Sequence, residues 1–263
     1  MAQSAAGGFS GRTALVTGGG RNIGRAIALA FADRGIDVGI VVRANREEAE
    51  AVAREVRERG ARAAIALGDV GQAGDCERMV GEIAAALGPV DYLVNNAARR
   101  RRQAFLDIAP EDWDAVIGTN LSSIFYLSRL VLPGMAERGF GRIVNIGGPD
   151  GVRGLRLRAH NVACKAGLIG LTKAIALEFG IHGITANIVV PGNIATSRDE
   201  VDYPDFQALV DRLDDQRENS QIAIPRQGTC EEVADAVMHF ASDKSAYLTS
   251  QTLYVAGGLW GLP

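Results

Sequence analysis

Short apolar runs rich in β-branched residues alternate along this chain with longer amphipathic stretches. Runs at 13–16, 38–42, 63–67, 92–94, 142–146, 184–190 and 252–255 read as strands, and segments at 23–34, 46–59, 74–87, 111–138, 161–180 and 230–242 carry helical periodicity. Several of the helical segments close on a glycine stop signal, at Gly35, Gly60, Gly88 or Gly139. Strand and helix in strict alternation are the βαβ signature of a parallel sheet. The pattern predicts an α/β fold in which a seven-stranded parallel sheet carries helices on both faces, as one domain over 1–263. The one long interruption, 193–228, carries Asp199, Glu200, Asp202, Asp205, Asp211, Asp214, Asp215 and Glu218 among scattered apolar residues. An interruption of that length in a compact domain predicts a lid over a substrate site.

Composition narrows the function. With 263 residues, 47% hydrophobic, 22% charged and a net charge of −3, the chain suits a globular protein with a large core and not a polyanion binder, so nucleic acid is not an expected partner. Residues 1–8 are small and polar without a basic start, and no run of about 18 apolar residues occurs. A cytoplasmic protein with no membrane partner is the expectation. Cys76, Cys164 and Cys230 are far apart and form neither a CxxC pair nor a cluster with histidine, which predicts no disulfide framework and no metal site.

The first strand runs into Thr17-Gly18-Gly19-Gly20-Arg21-Asn22-Ile23-Gly24, followed at once by a helical pattern. Glycines are needed where backbone must approach a pyrophosphate, and the N-terminus of the following helix offers N–H groups to the anion. At the end of the second strand, where an acid often takes the ribose 2′-hydroxyl of NAD, stand Arg43 and, close behind, Arg46. Guanidiniums there, with Arg21 from the glycine turn, suit the 2′-phosphate of NADPH. Arg99-Arg100-Arg101-Arg102 follow the fourth strand, at the sheet edge where ligands bind in open α/β folds. The run reads either as a recruiter of an acidic substrate or acyl-carrier protein, or as a solvated loop or intersubunit salt bridge. The acidic stretch at 193–228 would favour a cationic substrate instead.

These pieces together resemble the short-chain dehydrogenase/reductase family, in particular the group of 3-oxoacyl-acyl-carrier-protein reductases, over residues 12–258. The resemblance is carried by the glycine turn at 17–24, Gly68-Asp69-Val70, Asn95-Asn96-Ala97-Ala98, Thr119-Asn120, Pro191-Gly192-Asn193-Ile194-Ala195-Thr196 and the stretch from Tyr254 to Gly258. It implies a Rossmann fold and a nicotinamide cofactor held by Gly18, Arg21, Asn22, Ile23, Gly24, Arg43, Asp69, Val70, Asn96, Ala97, Lys165, Pro191, Gly192, Ile194 and Thr196. Asp69 would hold the adenine amino group, and Asn96 and Ala97 would line the adenosine ribose. Lys165 would bond the nicotinamide ribose, and Ile194 and Thr196 would meet the carboxamide. Asn120 would hold a water in a proton relay beside the lysine. The resemblance also implies a homotetramer, or else a dimer, built on the long helices around 111–138 and 161–180, with 259–263 reaching a neighbouring subunit. Trp260 reads as an interface anchor or a pocket wall.

Departures from the family pattern are more informative. Asn22 replaces a glycine of the turn, and Ala98 replaces the glycine after Asn95-Asn96-Ala97. The catalytic serine and tyrosine positions read Gly148 and Asn161. No tyrosine lies between Tyr126 and Tyr203 and no serine between Ser128 and Ser197, so no shift of register restores either. A phenol delivers a proton to a carbonyl oxygen as hydride arrives, whereas an amide has none to give near neutral pH. Three functions follow. The first is NADPH-dependent reduction of an imine or iminium, whose nitrogen carries its own proton, with Asn161 orienting the substrate. The second is a carbonyl reductase with a substitute acid, His160 or Asp150. The third is a non-redox protein of this fold, either a cofactor-bound pseudoenzyme or a cyclase or isomerase. Gly148 and Asp150 are expected to line the substrate pocket.

Overall fold

The computed structural model describes residues 11–197 and 222–259. The acidic residues of the expected lid, Trp260 and most of the C-terminal segment lie outside the described residues. Seven parallel strands form one sheet in the order β3-β2-β1-β4-β5-β6-β7. They are β1 (Thr13–Thr17), β2 (Asp37–Val42), β3 (Ala63–Leu67), β4 (Val90–Asn95), β5 (Gly141–Ile146), β6 (Ile184–Pro191) and β7 (Thr252–Val255). The helices are α1 (Asn22–Ala32), α2 (Arg46–Glu58), α3 (Ala73–Leu87), α4 (Pro110–Ile117), α5 (Ser123–Arg138), α6 (Asp150–Arg153), α7 (Ala159–Phe179) and α8 (Cys230–Ala241).

Successive residues of a strand point to opposite faces, and the strands supply apolar side chains to both. In β1, Ala14 and Val16 pack beneath α1, α2 and α8, while Leu15 packs on the other side with α3, α5 and α7. Each fully buried Leu or Val contributes ~1.5–3 kcal/mol relative to exposure. The helices α1 and α2 thus cover one face in succession, α3, α5 and α7 the other, and α8 returns to the first. The chain starts at β1, winds outward to β3, then returns to place β4 on the other side of β1. That reversal opens a crevice beyond the carboxyl ends of β1 and β4, where open α/β sheets bind ligands.

One expected helix is divided. The stretch predicted at 111–138 is α4, a wide π turn at Gly118–Ser122 and α5. Apolar periodicity cannot reveal a turn of that kind, because it shifts the register by one residue without interrupting the helix. The turn carries Asn120, buried and outside the cleft lining, and Ser123 Oγ donates to the Thr119 carbonyl (2.6 Å) at its exit. Pro110–Arg138 together is long and apolar enough to cross a membrane by length and composition alone, but half of its most apolar part is buried inside the protein. The base of the long interruption is closed: Gly228 N–H donates to Asn193 O and Ala195 N–H to Gly228 O, both 2.9 Å.

Candidate active site

The ends of β1, β4, β5 and β6 build the cleft. At β1, Gly18 takes φ +64°, a conformation glycine adopts without steric cost, and its N–H donates to Val41 O (2.7 Å). Thr17 Oγ accepts from the N–H groups of Asn96 (2.9 Å) and Ala97 (3.0 Å), tying the end of β4 to the turn. Asn96 Nδ2 donates to Thr17 O (2.9 Å) and Gly18 O (3.2 Å). Gly24, in the first turn of α1, lies so close that a Cβ there would come 2.0 Å from Gly18 O. Asn22 adopts φ +48° and holds the segment that follows β6. Its Nδ2 donates to Ser197 O (2.9 Å), and its Oδ1 accepts from Ser197 N–H and Oγ (3.0 Å each).

Ile23, Asn96, Pro191, Gly192, Ile194 and Thr196 line this part of the cleft. Arg43 is exposed just past β2, with Arg46 paired to Glu50 at 3.5 Å. Arg21 is the cap residue of α1, and Val70 is buried behind the cleft. Asp69 is already engaged: Oδ1 accepts from Gly71 N–H (2.9 Å) and Oδ2 from Arg99 (2.9 Å).

Deeper in, Lys165 Nζ donates to Ile146 O at the end of β5 (2.7 Å). Burial, reinforced by the nearby Arg100 guanidinium, pushes its pKa down to about 8. Gly148 faces the lysine, and a Cβ there would meet Lys165 Cγ at 3.5 Å, an ordinary contact. Asp150 lines the same end and pairs with Arg158 (3.1 Å).

Asn161 lies on α7 one turn before Lys165, so both reach the cleft. Its amide is committed on both sides. Oδ1 accepts from Asn120 Nδ2 (2.8 Å), and Nδ2 donates to the Arg101 carbonyl (3.3 Å). Asn120 also holds Arg99 at both backbone groups, accepting from its N–H (2.7 Å) and donating to its carbonyl (2.8 Å). The two asparagines thus fasten the loop after β4.

His160 is a correction to the sequence reading. Its side chain is fully buried and absent from the cleft lining; Nδ1 accepts the Asn161 N–H (2.9 Å), and Nε2 faces Gln103 Oε1 (3.4 Å). Burial lowers its pKa, so the ring stays neutral and closes the start of α7. It cannot serve as a proton donor in the cleft.

The arginine run is also resolved. Arg99 reaches Asp69 (2.9 Å) and Thr119 (3.0 Å), and Arg101 pairs with Asp112, so these two side chains turn away from the cleft. Arg100 and Arg102 line it, with Arg158. Arg100 is exposed and Arg102 half-buried there. Arg158 and Leu155 were not anticipated, because they follow a short irregular loop with no motif.

The fold and the nucleotide-type cleft define an α/β oxidoreductase of Rossmann architecture. The family model described as enoyl-(acyl carrier protein) reductase matches residues 18–260. Nodulation protein G of Azospirillum brasilense is 40% identical over 252 residues, covering 95% of this chain and 99% of that protein. A 3-oxoacyl-[acyl-carrier-protein] reductase of Staphylococcus aureus is 37% identical (95% and 98% covered), and an acetoacetyl-CoA reductase of Rhizobium meliloti 39% identical (94% and 98%). A doubly substituted short-chain dehydrogenase/reductase of Serratia marcescens superposes with a TM-score of 0.85 at 32% identity, covering 95% of this chain and 98% of that one. The chain belongs to the short-chain dehydrogenase/reductase family.

Proposed function

We propose that this protein is an NADPH-dependent reductase acting on a C=N bond through a non-standard active site. The observation that carries this reading is what lines the cleft. Among its described lining residues there is no tyrosine, serine, cysteine or histidine. Asn161, where the family resemblance leads one to expect a tyrosine, has its carbonyl oxygen on Asn120 and its NH₂ on Arg101 O. A ketone needs a proton at oxygen as hydride arrives, whereas an iminium nitrogen already carries one and leaves as a neutral amine.

The residues fit a dinucleotide. The open backbone at Gly18 and the crowding at Gly24 leave no room for side chains where a pyrophosphate would approach the start of α1. Bound NADPH supplies the hydride. Lys165 would bond the nicotinamide ribose, Ile194 and Thr196 would meet the carboxamide, and exposed Arg43 would suit the 2′-phosphate. Asp69 would meet adenine only with the oxygen capacity that Arg99 leaves it. A homotetramer is the proposed assembly, supported by exposed Phe125 on α5, Leu177 on α7 and Ile181 beyond it.

A second reading, ketone reduction with the Lys165 ammonium as acid, is favoured by the position of Lys165 in the cleft and by its lowered pKa. The pH profile separates the two. In both, the rate of NADPH oxidation falls as pH rises and the acidic form is lost. With two cyclic imines of different basicity, the midpoint should move with the iminium pKa. A midpoint fixed near 8 for both substrates would assign the proton to Lys165.

A further inference from the structure

Arg99 ties together three segments of the chain. It stands in the loop after β4, and its guanidinium reaches the residues beyond β3, where Nη2 donates to Asp69 Oδ2 (2.9 Å), and the π turn, where Nε donates to Thr119 Oγ1 (3.0 Å). Its backbone is held by the same turn. The N–H donates to Asn120 Oδ1 (2.7 Å), and the carbonyl accepts from Asn120 Nδ2 (2.8 Å). The π turn in turn packs on the loop that carries Asp69, since a Cβ on Gly71 would come 3.3 Å from both Gly118 C and Thr119 N. About two-thirds of each partner of the ion pair is covered, with Arg99 32% and Asp69 28% exposed, so solvent screens it less than a surface pair.

The tie continues to the cleft wall. Asn120 Nδ2 donates also to Asn161 Oδ1 (2.8 Å), and Asn161 Nδ2 to the Arg101 carbonyl (3.3 Å). Two residues on, Gln103 N–H donates to Leu157 O (2.8 Å). The backbone of the loop is therefore held at Arg99, Arg101 and Gln103, and the residues that alternate with these, Ala98, Arg100 and Arg102, line the cleft together with Asn161. We propose that Arg99 is a positioning residue: anchored on Asp69, it fixes the loop that walls the cleft, so that the carboxylate expected at the adenine end of the cofactor site governs how the substrate fits. Neither Asp69 nor Arg99 lines the cleft, so their influence on substrate runs through the loop. A wall displaced by a fraction of an ångström loses contacts that hold the substrate in place. The inference rests on the reading of the cleft as a reductase active site, and adds a residue that shapes it.

The test reads the full chain in two ways. In hydrogen–deuterium exchange, the amides of residues 99–103 should exchange about tenfold faster in Arg99→Met and in Asp69→Asn, the effect of losing one charge-assisted hydrogen bond. The amides of α8, packed on the other face of the sheet, should keep their rate, which separates loss of the tie from loss of the fold. Arg99→Lys, which can still reach Asp69 with one donor, should restore part of the protection, and Arg34→Met, which removes an exposed charge after α1, should leave it unchanged. In steady-state oxidation of saturating NADPH with 2-methyl-1-pyrroline, the KM of the imine should rise about tenfold in each of Arg99→Met and Asp69→Asn with kcat within about threefold, and the double variant should be no worse than either, because both break one tie. Unchanged exchange at 99–103 in either variant, or KM effects that multiply in the double variant, would overturn the proposal. The exchange experiment needs no turnover. Failure of the unmodified protein to oxidise NADPH with the imine therefore counts against the reductase reading, whereas normal turnover with unchanged exchange sinks this inference alone.

Discussion

Gly148→Ser/Asn161→Tyr is expected to raise ketone reduction by roughly 100-fold or more over the unmodified protein, the range a positioned general acid supplies. The space at 148 permits it, since the new Cβ would meet only the Lys165 stem, at 3.5 Å or more. The phenol would stand one helical turn from a lysine ammonium, whose charge lowers a phenol's pKa and favours proton transfer. The same change should cost stability. Asn120 Nδ2 and the Arg101 carbonyl would each lose a partner, and an unsatisfied buried polar group costs about 1–3 kcal/mol. For a chain of this size each kcal/mol lowers the melting temperature by roughly 2–4 °C. Assay of the double variant on ketones, with a thermal melt, checks both halves. Loss of stability without any gain on ketones would mean that Asn161 does not occupy a proton donor's place.

Gly24→Ala should abolish tight binding of NADPH. Its Cβ would lie 2.0 Å from Gly18 O, 2.8 Å from Gly18 C and 2.7 Å from Asn96 Nδ2, two of them backbone atoms that cannot swing aside. Relief requires the glycine turn to move, at about 1–3 kcal/mol for overpacking. If the turn is what approaches the pyrophosphate, affinity falls by roughly 10- to 100-fold for the same energy. Gly81→Ala is the contrasting case, in the interior of α3 with nothing within 4 Å of the new Cβ. It should stabilise the protein by about 0.5–1 kcal/mol through helix propensity, with cofactor affinity unchanged. Calorimetric titration of NADPH into both variants checks the pair; near-normal affinity in Gly24→Ala would remove the glycine turn from the cofactor site.

The strands were legible because burial on both faces leaves a run of apolar residues, and the structure extends each predicted strand by at most a few residues. The glycine turn was legible for a different reason: its requirements are local. What the sequence concealed depends on contacts between distant segments. The π turn around Asn120 follows no periodicity that a pattern can show. The division of Arg99-Arg100-Arg101-Arg102 into outward and inward pairs depends on Asp69, Asp112, Asn120 and Asn161, which come from three separate parts of the chain. His160 looked like a proton donor because histidine has the right intrinsic pKa, yet its burial against the start of α7 is a tertiary fact. The acidic stretch that argued for a cationic substrate lies outside the described residues. The lining that is described carries Arg100, Arg102, Arg158 and Lys165 beside Asp150.

The account stands on hydride transfer to an acceptor that needs no proton from the protein. Its most direct test is steady-state NADPH oxidation by the unmodified protein with a cyclic imine and the ketone of the same ring size. A kcat/KM for the imine at least about 100-fold above that for the ketone is the predicted result, since only the ketone depends on the missing acid. Ketone turnover equal to or faster than imine turnover would contradict it.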